Sequence, residues 1–225
     1  MVREQYIEGL KEIEQGAISI GEMVLTALSD AIDALMKHDS EKAYDVISHD
    51  ININKKRWKV EEKCIMLIAT QQPVATDLRE IIASLNIVTD FERMGDHAQG
   101  IAKVMLRLES EPPMRTLQTV FDMSQAVLSM IKRSIHAYIA RDIKEALKIF
   151  KHDDVVDNFY NKIFDEIVTY EKENPMRFKV GTYFLWIAHD LERIADRVAN
   201  ICERIVYLVH GEMEDLKTFK PKSFS

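Results

Sequence analysis

Acidic and amide side chains four residues apart recur at four places in this sequence. The pairs are Glu92 and Asp96, Glu192 and Asp196, Asp50 and Asn54, and Asp153 and Asp157. Residues at this spacing share one face of a helix, where two carboxylates repel each other by a few tenths of a kcal/mol. Partial burial adds several kcal/mol for each unpaired ion. We therefore expect a positively charged group beside these acids.

A metal ion is one candidate for this positive group. Oxygen ligands suit hard or borderline cations such as iron, manganese, magnesium or, less characteristically, zinc. Arginine is the other candidate, because Arg93 and Arg193 lie beside the acids and Arg79 lies upstream. His97 and His189 also flank the acids, although a single helical histidine is more often a hydrogen-bonding residue than a metal ligand. Residue types and spacing leave both alternatives open.

The acids interrupt apolar stripes of helical period. In the first half, a stripe through Ile81, Leu85 and Val88 reaches Glu92 and Asp96. The corresponding stripe of the second half, through Leu185 and Ala188, reaches Glu192 and Asp196 in the same way. Helices that direct apolar residues into a core therefore direct these acids towards its edge. We predict one multi-carboxylate metal site in each half.

The elements that must position these acids are helices. Five prolines and seven glycines in 225 residues, together with helical apolar periodicity, predict an all-α protein. Asp39 and Asp142 are candidate N-caps at turns between helices. We predict six long helices, at 3–37, 41–71, 74–109, 114–140, 143–173 and 176–210.

The sequence is internally duplicated. The segment 90–96 aligns without a gap on 190–196, so the third predicted helix resembles the sixth. Three upstream features repeat at nearly the same separation: Asp39 with Asp142, His49-Asp50 with His152-Asp153, and Pro73 with Pro175. We predict tandem, pseudo-symmetric three-helix bundles at 1–111 and 112–211, joined at a stiff Pro112-Pro113 junction, and a frayed tail at 212–225.

Composition excludes several classes of protein. A formal net charge of −7 and scattered basic residues argue against direct binding of nucleic acid. No apolar stretch approaches the ~18 residues of a membrane span, and the amino terminus is too polar for a signal peptide, so we expect a cytoplasmic protein. Cys64 and Cys202 are interpreted as small core residues, and Trp58 and Trp186 as core anchors.

Enzymatic function finds little support in the sequence. No glycine-rich phosphate-binding loop is present. Ferritin-like di-iron oxidases need Glu-x-x-His pairs, and no glutamate in this chain has a histidine three residues later. We predict a protein that is not an enzyme. A metal-storage or oxidase bundle and a metal-free structural adaptor remain as alternatives.

Two motifs resemble the PhoU family. In the first half, the run from Gln71 to Arg79 (QQPVATDLR) is followed by DFERMGD at 90–96. In the second half, DLERIAD at 190–196 continues through Asn200 and Glu203 to YLVHG at 207–211. The resemblance covers nearly the whole chain.

This resemblance implies spectrin-repeat-like three-helix bundles whose acidic motifs bind multinuclear iron or zinc clusters. It also implies a negative regulator of the phosphate-starvation response, a homodimer acting between the phosphate ABC transporter and its sensor histidine kinase. Two positions depart from the family pattern. Asn54 stands where an acid is expected, which should weaken the first metal site, and Ala195 replaces a glycine, which a helix tolerates.

Overall fold

Helices account for nearly all of the secondary structure. The computed structural model describes residues 2–109, 111, 116–213 and 215–219, and within these ranges it has no β-strand. The helices are α1 (Val2–Lys37), α2 (Ser40–Gln71), α3 (Thr76–Leu108), α4 (Leu117–Ala140), α5 (Ile143–Phe150), α6 (Asp153–Glu173) and α7 (Phe178–His210), with a 3₁₀ turn at Pro175–Arg177. The all-α prediction is confirmed. The predicted Pro112-Pro113 junction lies outside the described residues.

Two helix starts are fixed by the aspartates that the sequence marks as caps. Asp39 accepts a hydrogen bond from the backbone N–H of Lys42, and Asp142 accepts one from that of Glu145, each at 3.0 Å. A cap of this kind typically stabilises a helix by about 1 kcal/mol. The two aspartates occupy equivalent positions in the two halves, so the duplication extends to the way the helices begin.

The fifth predicted helix, 143–173, is interrupted. It ends as α5 at Phe150 and restarts as α6 at Asp153. Asp153 and Asp154 thereby enter the first turn of a helix, where the helix dipole favours negative charge. In the first half, the equivalent His49-Asp50 pair lies inside the unbroken α2.

Each half forms a bundle, and the bundles pack side by side. Helices α1, α2 and α3 contact one another in the first half, while α4 and α7 enclose α5 and α6 in the second. The most extensive contact in the molecule joins α3 to α7, and α1 also packs against α4. The halves therefore share a large interface instead of being separate domains on a linker.

The central core repeats at an interval of one hundred residues. Buried side chains of α3 and α7 correspond in six pairs: Phe91 with Leu191, Met94 with Ile194, Ala98 with Val198, Ile101 with Ile201, Ala102 with Cys202, and Met105 with Ile205. All twelve are at most 1% exposed. Cys64 is also fully buried, so both cysteines are core residues as predicted.

Two expectations about peripheral residues are wrong. Trp58 is 54% exposed and Trp186 is 45% exposed, so neither tryptophan is a core anchor. The tail is not frayed over 215–219, because Leu216 is buried and the Phe219 ring packs edge-on against His210 at 5.4 Å. Apolar residues after the last long helix thus cover the end of the bundle.

Within the described residues, no helix has the length and apolar character needed to cross a bilayer.

Candidate functional site

The acids of the second half lie near one another. Asp153 and Asp157 come from the start of α6, and Glu192 and Asp196 come from the middle of α7. Burial, followed by the charges of Asp157, Asp196, Asp154 and Glu192, raises the pKa of Asp153 from 3.8 to about 6. Burial and then Asp196 raise the pKa of Glu192. We call Asp153, Asp157, Glu192 and Asp196 the second acid cluster.

The second acid cluster is only partly neutralised by basic side chains. Arg193 donates a hydrogen bond to Asp196 at 2.8 Å, and His189 Nδ1 lies 3.3 Å from Glu192 Oε2. In the described part of the chain, no ion pair involves Asp153 or Asp157. Asp153, whose pKa is raised to about 6, therefore has no basic partner in this part of the chain, and a bound cation would stabilise its ionised form.

The first acid cluster consists of Asp50, Asn54, Glu92 and Asp96. Asp50 is 8% exposed and accepts a hydrogen bond from the Asn54 amide at 3.2 Å. Burial and then the charge of Asp96 raise the pKa of both Asp50 and Glu92. A cleft of about 490 Å³ between α1 and α2 reaches Asp50 and gives an ion a route from solvent.

An arginine that the sequence analysis did not identify borders the first acid cluster. Arg57 Nε lies 3.5 Å from Glu92 Oε1, and a terminal nitrogen of Arg57 pairs with Glu61. Arg79, in contrast, lies over the Tyr207 ring instead of beside the acids. Arg57 and Asn54 together supply part of the neutralisation that a metal would otherwise provide.

Gly95 lets α2 approach α3 beside the first acid cluster. A Cβ at this position would lie 3.0 Å from Ile53 Cδ1 and 3.5 Å from Asp50 Oδ1. The equivalent residue in the second half is the fully buried Ala195. The two clusters are therefore similar in residue type, but a glycine in the first is replaced by an alanine in the second.

The donor chemistry of the clusters fits a hard cation better than their side-chain arrangement does. Carboxylate oxygens from two helices are suitable ligands, and burial together with the negative charges of neighbouring acids raises the pKa of Asp153. However, no three His, Cys, Asp or Glu side chains among the described residues converge closely enough to hold an ion. Binding would require side-chain rotations, which the exposed positions of Asp96 and Asp157 allow.

Reciprocal polar contacts link the halves next to the acid clusters. His97 of α3 hydrogen-bonds Asp190 of α7 at 2.9 Å. At the positions one hundred residues away, Asp90 of α3 faces Arg197 at 3.5 Å and Asn200 at 3.4 Å on α7. His97 thus contacts the other half instead of a metal cluster. The repeat alignment pairs Asp90 with Asp190 and His97 with Arg197 in sequence, but only the packing of α3 against α7 shows that each residue touches the other pair's member on the opposite helix.

Replacing Asp153 by Asn should stabilise the chelator-dialysed protein at pH 7. The folded-state pKa of about 6 lies above the unfolded value of 3.8. The contribution of Asp153 to the free energy of unfolding is therefore most favourable below about pH 4, and it is lost as the pH rises through 6. We expect Asp153→Asn to add about 1 kcal/mol at neutral pH, because water screens the half-buried carboxyl. Urea unfolding at pH 5 and pH 7 measures the change.

The matched control for Asp153→Asn is Asp154→Asn, in the same first turn of α6. Both substitutions remove a favourable interaction with the helix dipole, but Asp154 is exposed. The control should show little gain at pH 7. Equal stabilities of parent and Asp153→Asn at that pH would refute the role given to burial and neighbouring charge.

The fold and the site define a class of protein. The chain is a duplicated helical bundle with one acid cluster in each half, placed where two helices of that half meet. Comparison with known proteins identifies the family. The PhoU domain model matches residues 18–105 and 120–205, and the chain belongs to the PhoU family.

Relatives and solved structures extend this match over the whole fold. The chain is 39% identical to the phosphate-specific transport system accessory protein PhoU homolog of Clostridium acetobutylicum, over 96% of this chain and 99% of the relative. It is 33% identical to the phosphate-specific transport system accessory protein PhoU of Escherichia coli K12, over 92% of this chain and 86% of the relative.

The crystal structure of the phosphate transport system regulatory protein PhoU from Streptococcus pneumoniae superposes with a TM-score of 0.87, at 35% identity, covering 93% of this chain and 99% of that one. The crystal structure of PhoU from Pseudomonas aeruginosa superposes with a TM-score of 0.89, at 32% identity, covering 92% of this chain and 100% of that one. These relatives are named as accessory or regulatory proteins of phosphate transport and not as enzymes, which supports a regulatory role here.

Proposed function

We propose that this chain is a metal-binding negative regulator of phosphate uptake and of the two-component response to phosphate starvation. One observation carries the proposal: both halves match the PhoU domain, and each matched half has an acid cluster at the meeting of two helices. A regulatory role in phosphate transport is supported by relatives that match almost the full chain. The direction of regulation and the metal are the proposed parts.

The second acid cluster is the stronger candidate for the metal. Its four members are all Asp or Glu, whereas Asn54 is neutral and Arg57 partly offsets the charge of the first acid cluster. Iron or zinc is proposed, with magnesium or manganese as alternatives. A bound cation would neutralise the carboxylates, and the acids of α6 and α7 would orient it from two helices. Such cross-linking would make the relative position of those helices depend on the metal.

The proposed site of action is the cytoplasmic side of the membrane. There the chain would form a homodimer and contact the phosphate ABC transporter and the sensor histidine kinase through its outer helical faces. Membrane contact would be peripheral and would depend on these partners. The net charge of −7 disfavours regulation by direct binding to nucleic acid. A modest protein interface suffices for reversible signalling.

Deletion of the gene tests the regulatory role. Phosphate-starvation genes should switch on in phosphate-rich medium, and a plasmid copy of the gene should switch them off again. Transcript levels of a starvation-induced gene give the readout. Normal repression in the deletion strain, with no related copy present, would exclude negative regulation.

A metal-free adaptor is the second candidate function, and the pairing of Arg57 with Glu92 favours it for the first half. It predicts the same fold without a bound ion. Elemental analysis of protein purified without chelator from cells supplied with iron and zinc separates the two candidates. A metal-storage or oxidase function has no such support, since the chain lacks Glu-x-x-His pairs.

A further inference from the structure

The cleft between α1 and α2 is larger than a metal site requires. Its volume is about 490 Å³, which falls in the range of about 300–1,000 Å³ typical of pockets for small organic molecules. A metal ion at the first acid cluster would need only the carboxylates around it and would leave most of this volume unused. We call this space the α1–α2 cleft, and it has room for an organic ligand.

The floor of the α1–α2 cleft combines apolar side chains with a buried acid. Val46 and Ile53 are buried, and Asp50 is 8% exposed. The Asn54 amide donates a hydrogen bond to Oδ2 of Asp50. The other carboxylate oxygen, Oδ1, lies beside Gly95, which also lines the cleft. The floor therefore offers one carboxylate oxygen between apolar walls.

This oxygen of Asp50 has no basic partner in the described part of the chain. Asp50 forms no ion pair there, and its single hydrogen bond is the one from Asn54. Lys103 of α3 is close enough to act on Asp50 electrostatically, but its ammonium group hydrogen-bonds Gln99. A buried carboxylate is costly unless a positive group or further donors replace the lost water. The site therefore favours a ligand that is positively charged and donates hydrogen bonds.

The mouth of the α1–α2 cleft is acidic. Glu22 and Asp45 are exposed there, and neither forms an ion pair with any residue that the structure describes. Lys42 also lines the cleft, but its ammonium group pairs with Asp33 at 2.6 Å and with Asp30 at 3.4 Å. A cleft lined by charges of one sign concentrates ions of the opposite sign. The mouth therefore attracts cations.

The acidity of the mouth is particular to the first half. In the alignment that pairs the two capping aspartates, Glu22 corresponds to Gln125 and Asp45 corresponds to Lys148. One neutral and one basic residue thus take the place of two acids. Because the duplicated bundle forms without acids at these positions, the fold does not require them.

Residue size at the α1–α2 cleft also differs between the halves. Ala27 lines the cleft, whereas its equivalent on α4, Met130, is fully buried. Met23 also lines the cleft, and its equivalent is the partly buried Ala126. The methionine therefore lies one turn earlier in the first half than in the second. Gly95 at the floor, which is an alanine in the second half, leaves further space.

We propose that the α1–α2 cleft binds a small alkylamine whose ammonium group pairs with Asp50. The hydrocarbon chain of the amine lies against Met23, Val46 and Ile53. An ammonium group supplies both the charge and the N–H donors that the free carboxylate oxygen lacks. This inference goes beyond the proposed function. It rests neither on metal binding by the second acid cluster nor on phosphate control, so either can fail without the other.

A charged and a neutral probe of the same shape test the role of charge. The probes are n-pentylamine and n-pentanol, which have the same hydrocarbon chain. Saturation-transfer NMR titrations of the chelator-dialysed full chain at neutral pH give the two dissociation constants. The amine should bind saturably and at least tenfold more tightly than the alcohol, because a hydrogen bond to a charged partner is stronger than a neutral one. Equal affinities would overturn the proposal.

Variants test the place of binding. Asp50→Asn should weaken n-pentylamine binding at least tenfold, because it removes the charge and keeps the shape of the side chain. Ala27→Met introduces the second-half residue into the α1–α2 cleft and should also weaken n-pentylamine binding at least tenfold. Ala126→Met makes the same substitution at a partly buried position outside the cleft and should change nothing. Circular dichroism checks that each variant is folded.

Zinc binding separates this inference from the metal proposal. Ala27→Met should leave zinc binding as it is in the parent, because Ala27 lies in the half that does not contain the second acid cluster. Loss of the amine with unchanged zinc binding is the expected result. Amine binding that survives Asp50→Asn or Ala27→Met would place the amine elsewhere on the protein and would refute the proposal.

Discussion

Replacing Glu192 by Gln and Asp196 by Asn should abolish most of the stabilisation that added iron or zinc gives to the chelator-dialysed protein. A ligand that binds only the folded state stabilises it by about 2.7 kcal/mol at one hundred times its dissociation constant. The two substitutions keep the shape of the side chains while removing two of the four charges in the second acid cluster. Thermal unfolding with and without metal measures the difference.

The matched control for this metal prediction is Glu41→Gln with Asp45→Asn. These acids have the same four-residue spacing on α2, but both are exposed. The control should keep the full response to metal. If parent protein purified from iron- and zinc-supplied cells contains no metal, or if the Glu192/Asp196 variant binds as much as the parent, the second acid cluster is not a metal site.

Phe91→Ala should destabilise both halves of the molecule together, by about 3–5 kcal/mol. Phe91 is fully buried in α3, and its ring lies against Gly21 of α1, close enough that a Cβ there would be 2.9 Å from Cζ. Such a loss is a large part of the 5–15 kcal/mol that stabilises a typical domain. Because α3 and α7 share the most extensive contact, unfolding of the first half exposes the core of the second.

The two tryptophans allow each half to be followed separately. Trp58 reports on α2 and Trp186 on α7, so Trp186→Phe and Trp58→Phe give single-tryptophan proteins. Phe91→Ala should lower the urea midpoint equally for both probes. A shift seen by Trp58 while the Trp186 transition stays in place would show that the halves unfold independently.

The duplicated architecture could be predicted from sequence because several independent signals agree. The match of 90–96 with 190–196 and the capping aspartates Asp39 and Asp142 give the same division into halves. Helix ends came within two or three residues wherever a proline or cap marked them. The break at 151–152 was missed because apolar periodicity continues across it, with Ile149 and Val156 both buried.

The candidate site was predictable only in part. The same helical spacing that places two acids on one face does not say which residue of a neighbouring helix approaches them. Arg57 was missed for this reason, since its proximity to Glu92 depends on the packing of α2 against α3. His97 was considered as a metal ligand because it follows Asp96, yet it turns towards Asp190. Long-range pairing is decided by tertiary packing.

The tryptophans illustrate a different limit. A large aromatic side chain at helical spacing favours the core by composition alone. Trp58 nevertheless lies on the outer face of α2, in line with Tyr44, Ile51 and Ile65. Apolar residues seven positions apart can lie on a buried face of a helix or on an exposed one. The sequence spacing alone does not distinguish these two cases, because only the structure shows which face is buried.

The central claim is that the second acid cluster carries regulation of phosphate uptake, and complementation of the deletion strain tests it most directly. A variant with Asp153→Asn, Asp157→Asn, Glu192→Gln and Asp196→Asn is compared with the Glu41→Gln/Asp45→Asn control at equal protein levels in phosphate-rich medium. We predict that the control restores repression of a starvation-induced reporter and that the four-fold variant leaves it as active as the empty vector does. Full repression by the four-fold variant would contradict the claim.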